Sequence, residues 1–301
     1  MRWAFALPFG IFLGTAILVP FTFGLYGLGV AFQLLMWIAL TESWIILSGM
    51  TGYISLGHVV FFGLGAYFTV LTWQVWPLYV ALPFAGVLSF AFAIVVGWPV
   101  LRVRGPYFVI LTFGLAELVK YVVIKIEAAF GESERLLFGV PSLETLYWIM
   151  LALAIAATVM AQAARVTRFG QGLLAIREEE EAAATVGVPV VRYKILAYAL
   201  SGLIPGIVGG VVALRTTYFE PSAAFDPIVS FSVLTMAIIG GSDDARGPLL
   251  GAAFFTLLSE LLWAKAPEIY LILLGVALIG FVLVLPEGIC GRLFPRTRRA
   301  Q

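Results

Sequence analysis

Long apolar runs constrain this chain more than any other feature of its sequence. A helix needs about 20 apolar residues to cross the hydrocarbon core of a membrane, and about ten such segments follow one another with polar links between them. They cover residues 3–20, 26–47, 53–73, 78–100, 107–126, 146–164, 193–214, 228–241, 249–264 and 269–285. The sequence therefore predicts an all-α fold, a transmembrane bundle of about ten spans in a single domain over residues 1–301.

Charge supports the membrane assignment and predicts an orientation. Charged residues make up only 12 % of the chain, against about 25 % in soluble domains. Most of the 18 lysines and arginines fall in alternate links and at the two ends. Because positively charged links stay in the cytoplasm, we expect both termini there, including the basic tail over residues 287–301. The net charge is only +1 and the charges form no basic patch, so no nucleic acid partner is expected.

One long polar segment, residues 165–194, interrupts the apolar pattern. Four consecutive glutamates, 178–181, are followed by three alanines, and then by Gly187 and Pro189. Glutamate and alanine favour helix, acidic side chains suit a helix N-terminus, and glycine followed by proline ends a helix. The pattern predicts a short surface helix on a cytoplasmic link, because residues this polar cannot lie in hydrocarbon.

Glycines are spaced for close helix packing in two later spans. Gly202, Gly206 and Gly210 recur every four residues, and Gly240 and Gly241 end a short apolar segment. Small residues at this spacing let transmembrane helices approach closely. The stripe predicts either tight packing within one subunit or a contact between subunits or along a translocation pathway.

A few polar side chains inside predicted spans are further candidates for a pathway or for helix packing. His58 is the single histidine and follows Ser55 and Gly57, while Glu117 and Lys120 lie three residues apart and share a helix face. Ionisable groups within a membrane are candidates for function. They leave open a stand-alone ion-coupled carrier that uses Glu117, Lys120 or His58.

Enzymatic and cofactor chemistry are not favoured. None of the four lysines is followed by serine or threonine, so the chain lacks the phosphate-binding loop of ATPases. Asp243 and Asp244 are neighbours in one link, whereas an intramembrane aspartyl protease needs two carboxylates facing each other from different helices. With one histidine, a multi-histidine metal site is excluded. We expect no catalytic residue, no metal and no cofactor bound by this chain.

Several stretches together resemble a known family. Glu181-Ala182-Ala183, followed after three residues by Gly187, is similar to the E-A-A-x3-G loop of ABC-importer membrane subunits, a short helix that docks onto the cytoplasmic ATPase. Further stretches resemble LivM-type permeases in the same order: GYISLGH (52–58), RGPYF (104–108), AIRE (175–178), IGG (239–241) and GPLLGA (247–252). The link DDAR (243–246) departs from the family, which has an uncharged turn there.

The resemblance implies a permease subunit in the bacterial or archaeal plasma (inner) membrane that imports branched-chain (hydrophobic) amino acids. It implies a second permease subunit of similar fold, two cytoplasmic ABC ATPases that bind the ATP and magnesium, and an extracytoplasmic substrate-binding protein. The residues expected to couple to the ATPases are Arg177, Glu178, Glu181, Ala182, Ala183 and Gly187. Urea, short amides or aromatic acids remain alternative substrates of the same permease class.

Overall fold

The computed structural model describes residues 14–130, 135–241, 246–265, 272, 275–276, 279–280 and 288–293. The chain forms helices joined by short links, and residues 14–22 form the first, α1. The helices that follow are α2 (Leu25–Thr51), α3 (His58–Thr72), α4 (Leu78–Val100), α5 (Pro106–Phe130), α6 (Leu143–Val166), α7 (Arg168–Glu178), α8 (Glu180–Thr185), α9 (Val190–Thr216), α10 (Pro221–Ala224), α11 (Ile228–Gly240), α12 (Arg246–Lys265) and α13 (Gly288–Leu293).

The all-helical prediction is confirmed, but the count of about ten spans is not supported. Six stretches among the described residues are long and apolar enough to cross a membrane: α2, α4, α5, α6, α9 and Pro221–Gly240, which joins α10 and α11. The predicted span 53–73 is only the 15-residue α3, because the chain from Gly52 to Gly57 is not helical. Segment 249–264 lies within α12, whose apolar part is also shorter than a span. Most of 3–20 and most of 269–285 lie outside the described residues.

The centre of the bundle is held together where α9 packs against α2, α3 and α4. Gly206 lies in direct contact with Gly65 of α3, where a Cβ added at residue 65 would come within 1.8 Å of the Gly206 carbonyl oxygen. The predicted stripe continues on both sides, since Gly202 lies against Phe61 and Gly210 against Thr69. Apolar side chains gain little from leaving lipid for protein, so this close van der Waals contact is what draws the helices together. The stripe thus packs helices of one chain.

The bundle has two distinct ends. The C-terminal ends of α2 and α4 lie at the same end as α7 and α8, and α9 starts there at Val190. Since α9 has 27 residues, it reaches about 40 Å to the opposite end. There, Arg135–Leu136 (β1) pairs antiparallel with Tyr218–Phe219 (β2). We call the end that carries α7 and α8 the coupling end.

Candidate functional site

The predicted surface helix is present in the polar segment, and α7 precedes it. Helix α7 ends at Glu178, Glu179 is extended with φ of −157°, and α8 begins at Glu180. This break places Glu180 and Glu181 in the first turn of α8, where carboxylates are favoured by the helix dipole. The chain then turns at Gly187, whose φ of +90° suits glycine because it has no Cβ. The glycine therefore sets the angle between α8 and α9.

Glu180 fastens α8 to three other parts of the bundle. Its Oε1 lies 2.7 Å from Nζ of Lys194 on α9 and 3.3 Å from Nη2 of Arg104 on the α4–α5 link. Its Oε2 accepts a hydrogen bond of 2.6 Å from the Tyr53 hydroxyl on the α2–α3 link. Nζ of Lys194 also donates to the Leu101 carbonyl at 3.1 Å. We call Glu180, Lys194, Tyr53 and Arg104 the Glu180 clamp.

The surroundings keep the Glu180 carboxyl charged. Burial by itself raises the pKa of this carboxyl, but hydrogen bonds from Lys194 and Tyr53, with the charges of Lys194 and Arg104, bring the pKa below its ordinary value. A carboxyl with a lowered pKa stabilises the fold above its unfolded pKa, and this stability is lost as the pH falls through the folded pKa. Burial, and then the hydrogen bond to Glu180, raise the pKa of the Tyr53 hydroxyl, which therefore stays a donor. The clamp is thus fully formed at neutral pH.

Arg177, a predicted coupling residue, provides a second attachment. Its Nη1 donates a hydrogen bond of 2.9 Å to the carbonyl oxygen of Gly49, in the last turn of α2. Helix C-termini attract cations because their last carbonyls have no partner within the helix. An open pocket of about 680 Å³ lies beside this contact, between the α2–α3 link, the α4–α5 link and α7–α8. Helices α7 and α8 are therefore anchored to the bundle at both Arg177 and Glu180.

The remaining predicted coupling residues divide into an exposed and a buried set. The side chains of Glu178, Glu181 and Ala182 are exposed, as is Gly187. Ala183 is only 3 % exposed and packs into the core, so it supports the helix instead of presenting a surface to a partner. Val186 is 78 % exposed at the end of α8. The outward face of α8 is therefore exposed in the described part of the chain.

Ser55, Gly57 and His58 lie inside the bundle, away from the exposed face of α8. The Ser55 carbonyl accepts a hydrogen bond of 2.8 Å from the indole of Trp44, and its hydroxyl accepts one from the amide of Gly57. His58 is buried at the start of α3, with its ring edge-on to Trp44 and to Phe61. These contacts hold the non-helical α2–α3 link in place, and a role in a pathway stays a prediction.

Two other predicted pairs make local contacts. On α5, Nζ of Lys120 lies 3.8 Å from Oε2 of Glu117, so each side chain offsets the charge of the other. Gly240 and Gly241 contact Gly247 closely, which joins the end of α11 to the start of α12. Residues 242–245, including Asp243 and Asp244, lie outside the described residues. Within the described part of the chain, no group of three His, Cys, Asp or Glu side chains is placed to hold a metal ion.

Sequence reasoning missed the central role of Glu180 and its partners. It assigned Glu178 to Glu180 together to fixing the helix end and its polar contacts, without singling out Glu180, and it treated Lys194 as one of several basic residues at the edges of the polar segment. The partners come from separate links, and Tyr53 is 127 residues from Glu180 along the chain. No spacing rule connects residues that distant, so the sequence carried no signal for the clamp.

Comparisons with known proteins agree on one kind of protein. Residues 14–282 match the family described as the permease component of the branched-chain amino acid transport system. The chain is 26 % identical to the high-affinity branched-chain amino acid transport system permease protein LivM of Salmonella typhimurium, over 94 % of this chain and 73 % of that protein. It is also 26 % identical to LivM of Escherichia coli, over 83 % of this chain and 65 % of that protein.

A shorter region has a different kind of relative. Over 42 % of the chain, and 38 % of the relative, it is 34 % identical to the L-arabinose transport system permease protein AraH of Escherichia coli. No solved structure matches the chain. The chain thus resembles permeases for chemically different substrates.

Proposed function

The chain belongs to the family of permease components of the branched-chain amino acid transport system, and from this membership we propose that it forms the pathway of an ATP-driven importer for branched-chain and other hydrophobic amino acids. Its long apolar helices make it a multi-pass inner membrane protein. We propose that a second permease subunit of similar fold, two cytoplasmic ATPases that bind ATP and magnesium, and an extracytoplasmic binding protein complete the transporter. The chain itself would then be a transport subunit without catalytic residues.

The observation that carries this proposal is the attachment of α8. One side of this helix is fixed to the α2–α3 link, the α4–α5 link and α9 through the Glu180 clamp. Its other side exposes Glu181, Ala182 and Val186. A helix held in this way transmits a push from an ATPase to several spans at once. ATP binding and hydrolysis would then alternate access to the pathway from the two sides of the membrane.

The substrate assignment rests on the longest matches. The two LivM proteins are permeases of branched-chain amino acid systems and match most of the chain, whereas AraH, an arabinose system permease, matches less than half. We therefore propose branched-chain amino acids as the substrates. Urea, short amides and aromatic acids are alternatives that uptake measurements with these compounds would distinguish.

Charge placed on the outward face of α8 is expected to release the ATPases. Val186→Glu puts a carboxylate where we propose an apolar contact, and burying an unpaired charge costs several kcal/mol. Copurification of the ATPases with the tagged permease pair should then fall by about tenfold or more. Val75→Glu is the matched control, because Val75 is 77 % exposed on the α3–α4 link at the opposite end. Equal recovery of ATPases with both variants would contradict docking at α8.

Orientation can be tested with single cysteines. We propose that the coupling end, both termini and the basic tail over residues 287–301 face the cytoplasm. Cys290 is a poor reporter because it is only 6 % exposed. In a Cys290→Ser background, an impermeant thiol reagent should label Thr185→Cys on α8 only after the cells are permeabilised. Val75→Cys should be labelled in intact cells, and the reverse pattern would show that the proposed orientation is wrong.

A further inference from the structure

A second open pocket lies at the end of the bundle opposite the coupling end. It encloses about 510 Å³ between the start of α2, the start of α6, the end of α9 and the later turns of α12. Its walls combine apolar side chains, among them Leu25 and Leu143, with Arg215 and Glu260. A small site that joins apolar walls to a few polar groups is the usual form of a ligand site.

Arg215 is held in this pocket without an acidic partner. Its guanidinium carbon lies 4.5 Å from the centre of the Phe32 ring, and its Nη2 lies beside Gly29, where an added Cβ would come within 3.4 Å. Within the described ranges, no carboxylate lies within ion-pair distance of this half-buried cation. A cation–π contact engages none of the N–H donors in a hydrogen bond, so the guanidinium keeps donors for a ligand. The arrangement suits a bound carboxylate, which a guanidinium can contact with two hydrogen bonds.

Glu260 supplies the opposite charge in the same pocket. The hydroxyl of Tyr26 donates a hydrogen bond to its Oε1. Among the described residues, the hydrogen bonds to this carboxylate engage only that oxygen, which leaves Oε2 to accept from a ligand. A fixed cation and a fixed anion in one pocket match a ligand that carries both charges.

We propose that this pocket binds the zwitterionic head of an amino acid at the outer mouth of the pathway, with Arg215 contacting the carboxylate and Glu260 the ammonium group. The apolar walls at Leu25 and Leu143 would take an aliphatic side chain. This inference rests on the proposed function and adds a permease site for the substrate. A neutral sugar has no charge to match either group, so the site separates this chain from permeases of sugars.

The experiment measures the equilibrium binding of leucine to the assembled permease pair and ATPases in nanodiscs, without the binding protein. Arg215→Gln and Glu260→Gln should each weaken equilibrium binding of radiolabelled leucine by about tenfold or more, because each removes a charge-assisted hydrogen bond. Lys125→Gln, which removes an exposed charge of α5 near the same end, should leave binding unchanged. Size-exclusion elution checks that each variant is folded.

Leucinol, which lacks the carboxylate, identifies the contact made by Arg215. Leucinol should compete weakly against leucine on the unsubstituted transporter, and Arg215→Gln should not weaken leucinol binding further. A merely structural role of Arg215 would instead weaken the binding of both compounds alike. Unchanged leucine binding in Arg215→Gln, or no leucine binding to the unsubstituted transporter, would overturn the site.

Leucine uptake by the complete complex with its binding protein separates the two proposals. If the unsubstituted complex takes up leucine but Arg215→Gln binds leucine normally, the proposed pocket is wrong and the importer function stands. If the unsubstituted complex takes up no leucine, the proposed importer function itself is wrong. If Arg215→Gln changes only the concentration of binding protein needed for half-maximal uptake, Arg215 is a docking contact for that protein and the proposed site is wrong.

Discussion

Gly65→Ala is expected to prevent this chain from reaching its folded state. The added methyl group would lie 1.8 Å from the carbonyl oxygen of Gly206, 2.4 Å from its carbonyl carbon and 2.6 Å from its Cα. All three are backbone atoms in the middle of α9, so no side chain can rotate to make room. Overpacking typically costs about 1–3 kcal/mol and occasionally more, and a clash with backbone that cannot rotate away belongs at the upper end. We expect little monodisperse protein in detergent and a strongly lowered thermal midpoint.

Gly114→Ala is the matched control for this substitution. Gly114 is also helical, but among the described residues an added Cβ would meet no atom within 4 Å apart from its chain neighbours and the adjacent backbone of its own helix. There the change should be neutral or stabilising by up to about 1 kcal/mol, the difference in helix propensity. Gly209→Ala tests the same interface from α9, since its Cβ would come within 1.9 Å of the Phe62 carbonyl oxygen. If Gly65→Ala and Gly114→Ala elute and melt alike, α3 and α9 are further apart than described.

Lys194→Met is expected to uncouple transport from ATP hydrolysis while the ATPases stay bound. Lys194 is 3 % exposed, and its loss leaves the Glu180 carboxylate without its closest cation. Removing one partner of a buried ion pair costs about 3 kcal/mol, so α8 should detach from α9 for much of the time. We expect leucine uptake by the complete transporter to fall by about tenfold or more. The outward face of α8 is unchanged, so ATPase copurification should not fall.

Two further variants separate the clamp from a general charge effect. Glu179→Gln removes a neighbouring exposed glutamate and should leave uptake unchanged. Glu180→Gln combined with Lys194→Met leaves no buried unpaired charge at the site, because Arg104 is exposed and still lies 3.8 Å from Glu181. The double variant should therefore lose less than the sum of the two single losses. Strict additivity, or full uptake with Lys194→Met alone, would mean that the Glu180 clamp does not carry the coupling.

Both predictions depend on contacts between distant parts of the chain, and they mark the limit of sequence reasoning here. The glycine stripe on α9 was predicted from its spacing. The glycine that it meets on α3, Gly65, was not, because no spacing rule assigns a partner to a helix face. Likewise, the acidic and alanine-rich helix was expected from local propensity, whereas the choice of Glu180 as its anchor was not.

The sequence alone determined the membrane class, the helical fold and the place of the short surface helix α8. It could do so because hydropathy and helix propensity are properties of each segment by itself. Its count of about ten spans is not supported by the described residues, which contain six stretches long enough to cross a membrane. Apolar composition does not reveal that the chain from Gly52 to Gly57 leaves the helix.

Only the tertiary structure decided which residues meet. Packing of α9 at the centre brings Lys194 to Glu180 at one end and Arg215 to the pocket of Glu260 at the other. These encounters depend on distances of a few ångströms between segments far apart in the chain, and such distances are set only when all the helices pack together.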